Sequence, residues 1–121
     1  MTDISNTFVD NTIADPQHPV TLFSLSWCSY CRAARQLLEQ LGIPYQVFEL
    51  DRGEFLEPRL QSEVRTRLQQ LTNSSTLPQL FIGGESLGGY TDTVAARGNC
   101  KLAAVLARHA IQTQSPDPKS N

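Results

Sequence analysis

The order of elements between residues 20 and 50 constrains the fold more than any other feature of this chain. Val20-Thr21-Leu22-Phe23-Ser24 is a β-branched and aromatic run that reads as a buried strand. From Ser29 onward, CRAARQLLEQLG reads as a helix, with Ala33, Ala34, Leu37, Leu38 and Leu41 on one side and Gly42 as its stop. PYQVFEL, residues 44–50, is a second strand. Its adjacent Val47 and Phe48 fit a strand covered on both faces. A strand–helix–strand unit implies a parallel pair joined by a right-handed crossover.

The remaining elements arrange themselves around that unit. ISNTFVDNTIAD spaces Ile4, Phe8 and Ile13 as a short helix, which Asp15-Pro16-Gln17-His18-Pro19 breaks. Asp51-Arg52-Gly53 makes a turn. Pro58 suits the first turn of a helix over about residues 56–71, which Thr72-Asn73-Ser74-Ser75 ends. Leu80-Phe81-Ile82 and Glu85-Ser86-Leu87 flank Gly83-Gly84, a hairpin signal. Two helices follow, Thr91–Arg97 and about residues 101–112, separated by Gly98-Asn99. The expectation is an α/β domain over residues 1–112, a small mixed sheet with helices on both faces. Residues 1–3 are expected to be loose. The polar tail 113–121, with its two prolines, is expected to be disordered.

A length of 121 residues suits one domain, and a 40% hydrophobic composition suits one core. Ten basic and twelve acidic residues give a net charge of −2, so no strong field favours nucleic acid or an anionic membrane. No apolar run is long enough to span a bilayer. MTDISNTFVD has neither the basic nor the apolar region of a secretory signal, so the expected location is cytoplasmic. The three cysteines, Cys28, Cys31 and Cys100, do not make a disulfide scaffold. They also fall short of a four-thiol zinc set, and His18 and His109 lack ligand spacing to the pair.

The pair in Trp27-Cys28-Ser29-Tyr30-Cys31 therefore asks for another role. Cys28 falls between a strand and the first turn of a helix, where unpaired N–H groups converge and the helix dipole favours a thiolate. Cys31 lies one turn further in and is expected to be less exposed. That arrangement divides labour: Cys28 attacks a disulfide, and Cys31 resolves the mixed disulfide. A structural disulfide would close only a tiny loop in a reducing compartment. Zinc would need two further ligands. Thr76-Leu77-Pro78 comes next in importance. A Pro directly before a strand is compatible with either a trans or a cis bond. A cis form beside a thiolate would leave the Leu77 backbone free to pair with an extended peptide. Gly88-Gly89-Tyr90-Thr91-Asp92 reads on its own as a helix start capped by Thr and Asp.

Taken together, HPVTLFSLSWCSYC, LTNSSTLPQLFIGG and LGGYTD resemble the glutaredoxins, over nearly all of residues 4–112. The resemblance implies a thioredoxin-like fold with a four-stranded sheet in the order 2-1-3-4 and an extra N-terminal helix. It also implies a cis Pro78 and reduction of glutathione–protein mixed disulfides and protein disulfides, with glutathione as electron donor. Cys28 becomes the nucleophile and Cys31 the resolving thiol. Tyr30 flanks the sulfur, and the Leu77 backbone beside Pro78 pairs with the cysteinyl part of glutathione. Thr91 and Asp92, after Gly89, hold the γ-glutamyl end. The chemistry fits: Asp92 accepts from an ammonium, and N–H groups at the helix start meet a carboxylate.

Two residues depart from the family pattern. Ser29 stands where Pro is usual. Leu25 stands where a Lys normally anchors the glycine carboxylate of glutathione. Arg65 occupies a helix position where many members carry Gln, and an Arg can bind that carboxylate with two parallel hydrogen bonds. The alternative is that Arg65 is one of several exposed helix charges, with Arg59 and Arg67.

Two functions follow. One is a monomeric, glutathione-dependent disulfide oxidoreductase acting on glutathionylated or disulfide-containing proteins and needing no resident metal. The other is an iron–sulfur carrier or sensor, in which Cys28 and glutathione bridge a [2Fe–2S] cluster between two chains. Trp27 is read as a docking surface for the substrate, Cys100 as an inert thiol, and His18 and His109 as surface residues.

Overall fold

A computed structural model describes residues 4–74 and 76–111. The loose residues 1–3 and the disordered tail 113–121 expected from the sequence lie outside the described residues. The chain runs α1 (Ile4–Ile13), β1 (Val20–Ser24), α2 (Ser29–Gln40) and β2 (Gln46–Glu49). A 3₁₀ turn (Gly53–Leu56) leads to α3 (Pro58–Thr72), then β3 (Gln79–Ile82), β4 (Glu85–Gly88), α4 (Tyr90–Gly98) and α5 (Lys101–Arg108). The sheet order is β2-β1-β3-β4. β1 pairs parallel with β2 and antiparallel with β3, and β3 pairs antiparallel with β4. This is the four-stranded mixed sheet of the thioredoxin-like fold, with the extra N-terminal helix in place.

Side chains alternate across a strand, and that alternation splits the core in two. Val20 and Leu22 of β1 join Leu80 and Ile82 of β3 beneath α2, α4 and α5, with Leu38, Ala96, Leu102 and Val105. Phe23 and Phe81 point the other way, against Val9 and Ile13 of α1 and Val64 and Leu68 of α3. With both faces covered, every residue of β1 and β3 is buried. β2 is an edge strand and only half-buried, yet Val47 and Phe48 still serve opposite core clusters. Arg67 of α3 clamps α1 with Nε and Nη2 on the two oxygens of Asp10, at 3.1 and 3.0 Å.

Chain turns explain where the boundaries differ from the sequence reading. β2 is confined to Gln46–Glu49, which pair in register with residues 21–24 of β1, and the Leu50 N–H closes the end of the pairing on the Ser24 carbonyl at 2.9 Å. Residues 53–56 close as a 3₁₀ turn, so α3 starts at Pro58. Glu57 caps it by accepting the Leu60 N–H at 2.7 Å. α5 is shorter than expected, ending at Arg108, and Ala110 then takes a positive φ of 55°. Gly42 does stop α2: at φ 70° its N–H reaches the Glu39 carbonyl, and the Ile43 N–H reaches that of Leu38. This double closure satisfies two carbonyls left over at the helix end.

Candidate active site

Cys28 is the N-cap residue of α2. Its extended backbone (φ −85°, ψ 124°) ends the β1–α2 loop, and its Sγ accepts the Cys31 N–H at 3.3 Å. A side chain at this position normally takes one of the helix's unpaired N–H groups; here that side chain is a thiol. The sulfur is half-buried and lies 4.0 Å from the Leu77 carbonyl oxygen. Cys31 sits one turn into the helix and is fully buried. Its Sγ accepts the Leu25 N–H at 3.4 Å. Burial, reinforced by the hydrogen bond with Cys28, pushes the Cys31 thiol above the ordinary thiol range, against the opposing pull of the Leu25 N–H and Ser24. Both thiols are free. One sulfur is therefore presented and the other is held in reserve as a neutral thiol.

The loop that carries Cys28 is pinned from the β2 side. The Ser26 N–H and Oγ donate to the two oxygens of Asp51, at 3.0 and 2.6 Å. The Ser26 hydroxyl holds the Asp51 carboxyl below the usual carboxylate range. Beyond the latch, Trp27 stands 73% exposed and Tyr30 62% exposed, so neither ring belongs to the core. Tyr30 faces Tyr90 across 6.2 Å between ring centroids.

A cavity of about 470 Å³ adjoins Leu77, whose carbonyl oxygen lies 4.0 Å from Cys28 Sγ; neither Cys28 nor Cys31 is among the residues lining it. Tyr30, Leu77, Pro78, Gly89, Thr91 and Asp92, drawn from three separate segments of sequence, all line it. The Leu77–Pro78 bond is cis. Gly88 (φ 83°) turns the chain from β4 into α4, and a Cβ there would collide with the Asp92 carboxylate. That carboxylate accepts the Gly89 N–H at 3.2 Å and sits at the cavity wall beside the unpaired first N–H groups of α4. Asp92 is the one ionic side chain among the described lining residues.

Arg65 lies half-exposed on α3 and is not among the residues lining the cavity. Leu25 packs against the Phe23 and Phe81 core cluster. Cys100 is exposed at the start of α5. His18 pairs with Asp15, and His109 Nε2 lies 2.7 Å from Glu85. Thr72, Gln79, Ser86 and Tyr90 also line the cavity and were not singled out from the sequence. Gln79 carried a readable signal, as a polar residue entering an otherwise apolar strand.

A helix-capping thiol, a buried second thiol one turn on and a cis-proline loop facing them define a thioredoxin-like thiol–disulfide oxidoreductase site. Residues 20–87 match the family model described as Glutaredoxin. The chain is 40% identical over 107 residues to Monothiol glutaredoxin-S10 of Oryza sativa subsp. japonica, covering 88% of this chain and 62% of that protein. It is 34% identical over 107 residues to Glutaredoxin-2 of Schizosaccharomyces pombe, covering 88% of this chain and 91% of that one. Among solved structures, a buckwheat glutaredoxin–glutathione complex superposes with a TM-score of 0.73 at 27% identity, covering 91% of this chain and 97% of that one. The chain belongs to the glutaredoxin family.

Among the described residues, no helix is long and apolar enough to cross a membrane, and no group of three or more His, Cys, Asp or Glu is placed to hold a metal ion.

Proposed function

We propose that this glutaredoxin is a glutathione-dependent oxidoreductase that removes glutathione from protein thiols and reduces protein disulfides in the cytoplasm, as a monomer. The observation that carries this reading is the convergence of Tyr30, Leu77, Pro78, Gly89, Thr91 and Asp92 on one cavity, with the Leu77 carbonyl oxygen 4.0 Å from Cys28 Sγ. The Leu77 main chain pairs with the cysteinyl part of glutathione. Asp92 takes the α-ammonium, and the first N–H groups of α4 take the α-carboxylate. Arg65 serves the glycine carboxylate in place of the cation that Leu25 cannot supply.

The Cys28 thiolate attacks the glutathionyl sulfur of a mixed disulfide. A new S–S bond forms, the old one breaks, and the protein leaves as a thiolate that takes a proton from water. A second glutathione thiolate attacks the Cys28-bound sulfur, which regenerates Cys28 and releases glutathione disulfide. With a protein disulfide, Cys31 loses its proton and displaces the substrate from Cys28. The two cysteines are then left oxidised until glutathione reduces them.

The second reading is a [2Fe–2S] cluster shared by two copies, with Cys28 and a glutathione thiolate from each. The exposed Ser29 at the first helical position, where the family usually has Pro, favours it. Each described chain presents one half-exposed thiol at this end, so a second copy and two outside thiols are required.

The test is turnover of a small glutathione mixed disulfide, with the visible spectrum and size of protein purified without air. A colourless monomer with turnover supports the enzyme. A brown dimer with negligible turnover overturns it in favour of the cluster. Arg65→Ala bears on the carboxylate: unchanged glutathione affinity, with affinity improved by Leu25→Lys, would remove Arg65 from the site.

A further inference from the structure

Gln79 opens β3 and is only 3% exposed, its side chain buried at the wall of the cavity. Its Nε2 donates to the Ser74 carbonyl at 2.8 Å and to the Thr76 carbonyl at 2.9 Å. Its Oε1 lies 3.2 Å from Thr72 Oγ1. Two carbonyls on one side of the amide require nitrogen there, which fixes its orientation. The main chain it grips has no ladder of its own, because β3 begins only at Gln79. Yet this main chain leads directly into Leu77, whose carbonyl oxygen stands 4.0 Å from Cys28 Sγ.

A buried amide is costly unless all its polar atoms are used. Pure packing would be served as well by an apolar side chain of the same shape. Ser74 is half-exposed and Thr76 exposed, so the segment that Gln79 grips lies at the surface rather than in the core. Losing the amide therefore frees the loop more than it unfolds the domain.

We propose that Gln79 is a positioning residue for substrate binding. Its buried amide holds the main chain of Ser74 and Thr76 so that Leu77 meets the cysteinyl backbone of the disulfide substrate at the correct distance from Cys28. The inference rests on the glutathione reading above. Gln79 touches no reacting atom, so its effect falls on KM rather than on the chemistry of Cys28.

The test compares wild type, Gln79→Met, Gln79→Asn and Val64→Ala on a small glutathione mixed disulfide. Gln79→Met keeps length and volume but loses both donors. KM is expected to rise about tenfold with kcat held within about twofold, the effect of a misaligned binding edge. Amide exchange at Ser74, whose N–H donates to Thr72 Oγ1 at 3.2 Å, should quicken in parallel. Gln79→Asn keeps an amide on a shorter arm, so it should fold readily and give an intermediate KM. Val64→Ala loosens the buried core under α3 and should lower the thermal midpoint without moving KM. Unchanged KM and Ser74 exchange in the folded Gln79 variants overturn the inference. So does an equal KM rise in Val64→Ala. Absence of wild-type turnover would count instead against the glutathione reading, and Ser74 exchange would still report on the loop.

Discussion

At one end of β3, Pro78 turns the chain toward the Cys28 sulfur; at the other, Gly83 and Gly84 turn it back into β4. The hairpin end spends its polar groups on itself. Glu85 receives Arg108 Nη1 at 2.8 and 2.9 Å and His109 Nε2 at 2.7 Å. The Gly83 N–H closes on the Pro19 carbonyl at 2.7 Å, and the His109 ring lies where a Cβ of Gly83 would be. The thiol end leaves its groups directed outward: a sulfur as a helix cap, a carboxylate at a cavity wall, and two exposed aromatic rings. The same sheet thus has one end built for closure and one for exchange. The difference lies in what holds each group: Glu85 is gripped by two side chains, whereas Cys28 Sγ and Asp92 each accept a main-chain N–H at a helix start and keep a side toward solvent.

Changes at the two ends should separate activity from stability, and Cys28→Ser should do so most sharply. Serine is a good helix cap, so the thermal midpoint should hold while turnover falls on the order of 10³-fold or more. A steady-state assay with a melting curve checks both. Gly88→Ala comes next. The positive φ and the collision with Asp92 should raise KM for the glutathione mixed disulfide about tenfold and cost about 1–3 kcal/mol of stability. A normal KM would show that Asp92 is not needed where it stands.

Cys31 gives a smaller effect that pH resolves. Its thiol sits above the ordinary range, mainly through burial, so its thiolate fraction keeps growing as pH rises through alkaline values. Protein disulfide reduction, which uses Cys31, should climb more steeply with alkaline pH than glutathione exchange, which does not use it. Cys31→Ser should abolish the first activity and spare the second. Coincident pH profiles would contradict this division between the thiols.

Glu85→Gln should have the least effect on catalysis, leaving turnover within about twofold while lowering the melting temperature. Chiefly the His109 hydrogen bond, and also Arg108, hold the Glu85 carboxyl below its usual value. A depressed carboxyl stabilises the fold above its unfolded value and loses that contribution as pH falls through the folded one. The melting difference between wild type and Glu85→Gln should therefore shrink in acid. A difference that grew in acid would reverse the assigned direction.

Much of this architecture was legible in the residues. β1, α2 and the hairpin announce themselves through runs of Val, Leu and Phe, a one-sided helix and paired glycines, because those signals are local. The start of α3 was less legible: Glu57 as a cap depends on the preceding 3₁₀ turn, which no strong periodicity marks. Gln79, Tyr90 and the Ser26–Asp51 latch were missed for another reason. Each acts on residues distant in sequence or around a turn, and a partner is not written beside a residue.

The sequence by itself determined the chemistry on offer: two thiols one helical turn apart, after a strand and before a helix. That follows from spacing and from the geometry of a helix start, which are properties of a few neighbouring residues. The lesser exposure of Cys31 was readable from its place one turn into the helix, but only the tertiary structure made that burial complete while leaving Cys28 half-buried. The tertiary structure alone decided that the Leu77–Pro78 bond is cis and that Leu77, its carbonyl 4.0 Å from the Cys28 sulfur, shares a cavity with Asp92. These depend on β1 and β3 lying side by side and on helices sealing both faces of the sheet, so that solvent access and contact are set by distant parts of the chain.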